Sequence, residues 1–207
     1  MSVMLETPPA STARPRVTAD ELLAMPNAKD FELVNGILVE RDPVERNLGW
    51  ESEYFGSNLI GLLHAYCRVH NCGWINGSNA GYQCYEDIYP NDPDRVRKPD
   101  VSFISVDRIP SDAVPKANCE IVPDLAVEVI SPNDLYHEVE EKVTEYLRVG
   151  VRLVWVVDPL AKTIRIHRAN GTMQDLTLSD ELSGEDVING FHCPVSEVFW
   201  LPMKPKS

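Results

Sequence analysis

The sequence predicts a mixed α/β (α+β) domain in which a central mixed β-sheet is flanked by helices and preceded by an N-terminal helix and a β-hairpin. Three observations predict it. Residues 125–130 and 151–157 are almost wholly apolar and are bounded by Pro123-Asp124, Ser131-Pro132 and Asp158-Pro159, as expected of strands buried on both faces. Residues 135–149 between them carry apolar side chains at helical spacing and stop at Gly150, which completes a strand–helix–strand unit. Hairpin signals stand on either side, at Asn35-Gly36 and Asn170-Gly171, so antiparallel strands join the parallel pair.

In chain order, Thr18-Ala-Asp-Glu21 is a capping-box signature that opens a short helix through about Met25, closed by Pro26. Residues 31–34 and 37–40 flank Asn35-Gly36, a two-residue type I′ turn. Residues 49–69 read as a longer helix with Tyr54, Leu59, Leu62, Leu63 and Tyr66 at helical spacing. Trp74-Ile75 and residues 82–85 are short strand candidates, and residues 100–105 form a firmer one. Residues 89–95 and 106–123, with Pro110, Pro115 and Pro123, read as irregular. After the strand–helix–strand unit, residues 163–167 and 173–178 form a second hairpin.

At 207 residues and 43% hydrophobic, the chain has material for one full core. Residues 1–17 read as a disordered lead-in, 18–200 as the domain and 201–207 as a tail. The lead-in carries Pro8, Pro9 and Pro15 without an apolar signal-peptide core, and no long apolar run predicts a membrane span. The five cysteines form no C-x-x-C pair, so free thiols in a reducing, cytoplasmic setting are expected. His64, Cys67, His70 and Cys72 have poor spacing for zinc. The formal net charge of −13 repels nucleic acid at long range, so DNA binding would need a local basic patch, a metal ion or a partner.

Two acidic residues interrupt strand-like segments: Asp100, in Arg97-Lys98-Pro99-Asp100-Val101, and Glu128, in Val127-Glu128-Val129-Ile130. Carboxylates are seldom buried without a partner, and two that converge can hold a hard divalent cation. If the two strands are neighbours with their faces aligned, Asp100 and Glu128 reach one ion. The competing readings are a capped strand start for Asp100 and a buried salt bridge for Glu128. Asp124 lies four residues from Glu128, roughly 13 Å along a strand at about 3.3 Å per residue, which is too far to share a metal. Lys142 falls inside the stripe of Leu135, Val139, Val143 and Tyr146, which aims its ammonium at the sheet. The alternatives are snorkelling or a surface pair with Glu138. Glu32, in the first hairpin, and Glu51 and Glu53, on the long helix, are further carboxylates that could complete a metal shell. Arg95, Arg97 and Lys98 form a compact basic cluster, either a phosphate-facing nucleic-acid rim or partners of Asp92 and Asp94. No G-x-S-x-G, H-E-x-x-H, Walker loop or G-x-G-x-x-G occurs.

The block from Arg97 to Val101, the segment from Pro123 to Asp134, Lys142 with Tyr146 and Gly150, and Trp155-Val156-Val157-Asp158-Pro159 resemble the putative restriction endonuclease family of the PD-(D/E)XK nuclease superfamily. Glu32-Leu33-Val34-Asn35-Gly36 is similar to that family's glutamate–leucine–glycine hairpin. The resemblance spans about residues 18 to 200. It implies a restriction-endonuclease-like core and Mg²⁺-dependent hydrolysis of DNA phosphodiester bonds, with Mn²⁺ as a substitute. A homodimer is the expected assembly. Carried across, Asp100, Glu128, Lys142 and Glu32 form the catalytic set. Asp100, Glu128 and the Val129 carbonyl would be metal ligands, and Lys142 would position or activate water. The superfamily's usual lysine, two residues after the second acid, is Ile130 here, so a lysine from the following helix takes its place. The alternative is a nuclease fold kept as a non-catalytic DNA- or protein-binding module.

Overall fold

The structure, a computed structural model, describes residues 16–41, 50–131 and 134–202. The helix α1, Ala19–Ala24, starts at Thr18 with both reciprocal bonds of the capping box in place. The strands β1, Phe31–Val34, and β2, Ile37–Glu40, pair antiparallel around Asn35 and Gly36 at φ 54° and 69°, the positive-φ pair that a type I′ turn requires. The helix α2 spans Trp50–His70 and is followed by β3, Gly73–Gly77. Then come β4, Val101–Ser105, β5, Leu125–Val129, α3, Tyr136–Val149, and β6, Leu153–Asp158. Gly150 ends α3 at φ 108°, a left-handed backbone state that suits glycine.

Beyond them, β7, Thr163–Arg168, and β8, Met173–Leu176, form the second hairpin. The chain then adds three short elements that its apolar pattern does not announce: β9, Glu181–Ser183, β10, His192–Pro194, and the turn-length helix α4, Val195–Val198. The main sheet has six strands in the order β3-β4-β5-β6-β7-β8, antiparallel throughout except for the β5–β6 pair joined through α3. It is the central mixed sheet expected.

Each face of the sheet has its own core. One face places Val101, Phe103, Val127 and Trp155 against Phe55, Leu59 and Leu63 of α2 and against the C-terminal segment. The other places Ile104, Ala126, Val154 and Val156 against Val139, Val143 and Tyr146 of α3. Period-2 alternation along β5 therefore sends Val127 and Val129 towards α2 and Ala126 and Glu128 towards α3. That alternation puts a carboxylate into an otherwise apolar interface, and it decides where the candidate site sits.

Two expectations are corrected. Residues 82–85 form no strand; Tyr82 makes only isolated bridges, to Arg97 and Cys119, because the intervening segment is broken into turns. Cys67 and Cys72 are joined by a disulfide with Cα atoms 5.0 Å apart, so the cysteines are not all free thiols, and the bond removes them as zinc ligands. Cys84, Cys119 and Cys193 remain free. Most of the expected lead-in and tail, together with Pro132 and Asn133, lies outside the described residues. No helix among those residues is long and apolar enough to cross a membrane.

Candidate active site

The register of the sheet brings the two acids together. β4 and β5 are antiparallel neighbours with Val101 opposite Val127, so the next step along each strand sets Asp100 opposite Glu128 at the mouth of the sheet. Glu128 is buried, and both its oxygens are engaged by α3: Tyr146 donates its phenol to Oε1 at 2.7 Å and Lys142 Nζ donates to Oε2 at 2.9 Å. Asp100 accepts the Val129 amide on Oδ2 at 2.8 Å and Arg41 Nη2 on Oδ1 at 3.3 Å. Burial pushes the Asp100 carboxyl up to about 7, and the nearby Glu128 charge adds to the rise. Lys142, the Val129 amide and Arg41 pull the other way without cancelling it. A carboxyl held near neutrality against a second one is a site short of positive charge.

Lys142 is the hub of the cationic side. Burial disfavours its charge, but Glu128, then Glu32, then Asp100 hold its pKa above the usual lysine range. Glu32 lies 3.9 Å from the ammonium. Burial alone would raise Glu32, yet Lys142 first, then Arg97 and the Lys98 amide, lower it to about 2. Glu32 therefore stays ionised inside the protein, accepting Arg97 Nη1 at 2.9 Å and the Lys98 amide at 2.7 Å.

Behind Glu32 lies a second layer of buried charge. Arg97 Nε also donates to Glu145 Oε2 at 2.7 Å, and Arg95 Nη1 donates to Glu145 Oε1. Arg95 Nε reaches Asp92 at 2.9 Å. The phosphate-facing rim expected at Arg95, Arg97 and Lys98 does not fit this placement. They are only 3%, 5% and 4% exposed, the arginines are committed to carboxylates, and Lys98 Nζ donates to the Ala28 carbonyl. The acidic partners that neutralise the arginines draw them inward, and the pairing with Asp92 was the alternative reading for Arg95. Of the other carboxylates, Glu51 pairs with Lys162 at 2.9 Å on the surface, and Asp124 caps the loop after β4 by accepting the Ser105 amide and Arg108. Leu135 is exposed at the N-cap of α3, whereas Val139, Val143 and Tyr146 form the buried stripe as expected.

Asp100, Glu128 and Lys142 line one cleft of about 1000 Å³, together with Arg41, Asn76 and Asp134. Among the described residues no three His, Cys, Asp or Glu side chains form a metal cage. Two adjacent carboxylates suit Mg²⁺, which keeps several waters and is commonly held by one or two carboxylates plus substrate phosphate. The donor set therefore fits the ion. Sequence reasoning missed Arg41 and Glu145. Glu145 stands three residues after Lys142, on the same side of the helix, and that spacing was a usable signal. Nothing in the sequence marks Arg41, because its partners are brought to it by the loop after β3 and by Lys98 and Asp100, far along the chain.

A family model described as Uma2, "Putative restriction endonuclease", matches residues 19–196. No curated protein matches the chain. Among solved structures, a "putative nuclease belonging to DUF820" from Anabaena variabilis is similar at a TM-score of 0.72 and 17% identity, covering 88% of this chain and 97% of that one. At that identity the likeness shows the fold.

Proposed function

The chain belongs to the Uma2 family of putative restriction endonucleases, and from that premise we propose that it is a metal-dependent endodeoxyribonuclease working in the cleft of Asp100 and Glu128. The observation that carries the reading is the pair of carboxylates held opposite each other with the Lys142 ammonium on one of them. Asp100, Glu128 and the Val129 carbonyl would hold Mg²⁺, or Mn²⁺ in its place. Such an ion supplies charge neutralisation at the phosphate and acidifies water.

The chain's own residues do the rest. Tyr146 and Lys142 fix the two oxygens of Glu128 from one helix face. The Val129 amide and Arg41 fix Asp100. Preorganised charge of this kind stabilises a transition state without reorganising when the reaction occurs. Lys142, whose pKa is held above the usual lysine range, keeps its proton at neutral pH. Its ammonium is placed to orient water and to stabilise charge developing on the phosphate. Glu32, held ionised at a pKa of about 2, is a second carboxylate beside that ammonium, 3.9 Å away.

Calorimetric titration with Mn²⁺ on the wild type and on Glu128→Ala tests the reading, combined with an assay of linear duplex and single-stranded DNA in Mg²⁺ or Mn²⁺. Ion binding that depends on Glu128, with cleavage lost by at least about a hundredfold in the variant, is the expected result. A folded wild type that binds no divalent ion and cuts neither DNA form would remove the proposal and leave a binding module on a nuclease fold.

A further inference from the structure

A second cleft of about 300 Å³ adjoins the first, sharing Asn76, Asn79 and Ala80 with it along the end of β3 and the turn beyond. Its surroundings differ from those of the carboxylate cleft. Leu23 and Val114 line it and are 41% and 45% exposed, large apolar side chains left open to water. Trp74 contributes to its wall and is oriented by its indole N–H, which donates to the Ile109 carbonyl at 3.1 Å. Lys29 and Lys116 line the cleft as well, and both are exposed.

Their position is notable because the protein is so acidic. Among the described residues, the basic side chains that engage no partner are Lys29, Arg68 and Lys116; the other arginines and lysines are tied to carboxylates, carbonyls or rings. Two of those three border this one cleft. A further group there is also unspent: the Asn118 amide nitrogen is buried without a hydrogen-bond partner. Its oxygen lies against Gly81, where an added Cβ would come within 2.3 Å of it, so that glycine makes room for the side chain.

Free cations, exposed apolar walls and an unsatisfied amide donor match one ligand chemistry. We propose that the second cleft takes a single unpaired nucleotide of the DNA strand whose adjoining phosphate lies at Asp100 and Glu128. The base contacts Leu23, Val114 and Trp74, Asn118 donates to a base acceptor, and Lys29 and Lys116 meet the flanking phosphates. The volume lies at the small end of the range for ligand pockets and suits one base, which a duplex would present extruded from its stack. This inference rests on the nuclease reading and adds to it where the strand runs and in what form. It also answers the net charge of −13: phosphate contact is supplied locally, by lysines that no carboxylate has claimed.

The test is fluorescence anisotropy of a labelled single-stranded oligodeoxynucleotide and of its duplex, in Ca²⁺, with the full chain as wild type, as Lys29→Gln/Lys116→Gln and as Arg68→Gln. Arg68 is equally unpartnered but does not line either cleft. Loss of two phosphate contacts is expected to weaken single-strand binding by roughly tenfold and to reduce the slope of log affinity against log salt by about 1.4. Arg68→Gln should leave both unchanged, and the duplex should bind more weakly than the single strand. Val114→Glu, which places a like charge against the strand, should repeat the loss without touching either lysine. Equal binding by the wild type and the double variant, or a preference for the intact duplex, overturns the inference while leaving cleavage at Asp100 and Glu128 standing. Absence of both binding and cleavage by the wild type overturns this inference and the nuclease reading together.

Discussion

Asp100 carries the most consequential balance at the scale of single residues. Its pKa rises from 3.8 to about 7 because burial and Glu128 outweigh Lys142, the Val129 amide and Arg41. The native state therefore holds this proton more tightly than the unfolded chain does. Without metal, Asp100 costs stability progressively as pH rises from about 4 to about 7, and Asp100→Asn should abolish that part of the decline in denaturation midpoints. The same proton competes with a cation. Mn²⁺ affinity of the wild type should climb about tenfold per pH unit below about 7 and level off above it; a profile flat from pH 5.5 to 8 would contradict the assignment of Asp100 as a ligand. Glu32 behaves oppositely. Its pKa is lowered to about 2 from 4.5, so its ion pairs stabilise the fold above pH 4.5 and are lost as pH falls through 2. Acid unfolding monitored by circular dichroism should be shallower across that window in Glu32→Gln than in the wild type.

Within the secondary-structure elements, α3 does the assembling. One side of it carries Lys142 and Tyr146 to Glu128, while Glu145 receives Arg95 and Arg97 from the loop before β4. The helix is thus tied to both Glu128 and the segment that delivers Asp100. Removing Glu145 leaves two buried guanidinium groups short of a partner. Glu145→Ala should destabilise the protein by about 3–5 kcal/mol in chemical denaturation, with Glu145→Gln intermediate because its one amide oxygen still accepts from an arginine while its NH2 group cannot. A loss below about 1 kcal/mol would mean that the arginines find water or other acceptors. The hairpin β1–β2 plays the matching part on the far side. Leu33 bridges to Val96 and so sets Glu32 beside Arg97. These elements were legible from local pattern because caps, the Asn-Gly turn and apolar periodicity are short-range. The last three, β9, β10 and α4, were not legible: they are three or four residues long, too short for a period to register.

Over the whole molecule, the sheet is a wall with a hydrophobic core on each side, and Trp155 on β6 is the largest fully buried side chain. Its ring stacks near Phe191 at 6.4 Å between centroids, and its indole N–H has no partner. Trp155→Ala should cost about 3–5 kcal/mol through the cavity it opens and lower the melting temperature by roughly 10 °C at this chain length. Trp155→Phe should cost far less, since it keeps most of the ring and deletes an unsatisfied donor; similar melting temperatures for the two variants would contradict that account. Most of the order of strands and helices up to β8, the acids that break apolar runs and the lysine on a helical stripe were written in the chain, because each depends on residues within one or two turns of one another. The meeting of Asp100 with Glu128, the inward turn of Arg95, Arg97 and Lys98, the bond between Cys67 and Cys72 and the arrival of Arg41 were settled only by the tertiary structure. Charge pairing acts through space, and segments dozens of residues apart must be packed before a carboxylate and a guanidinium can choose each other over water.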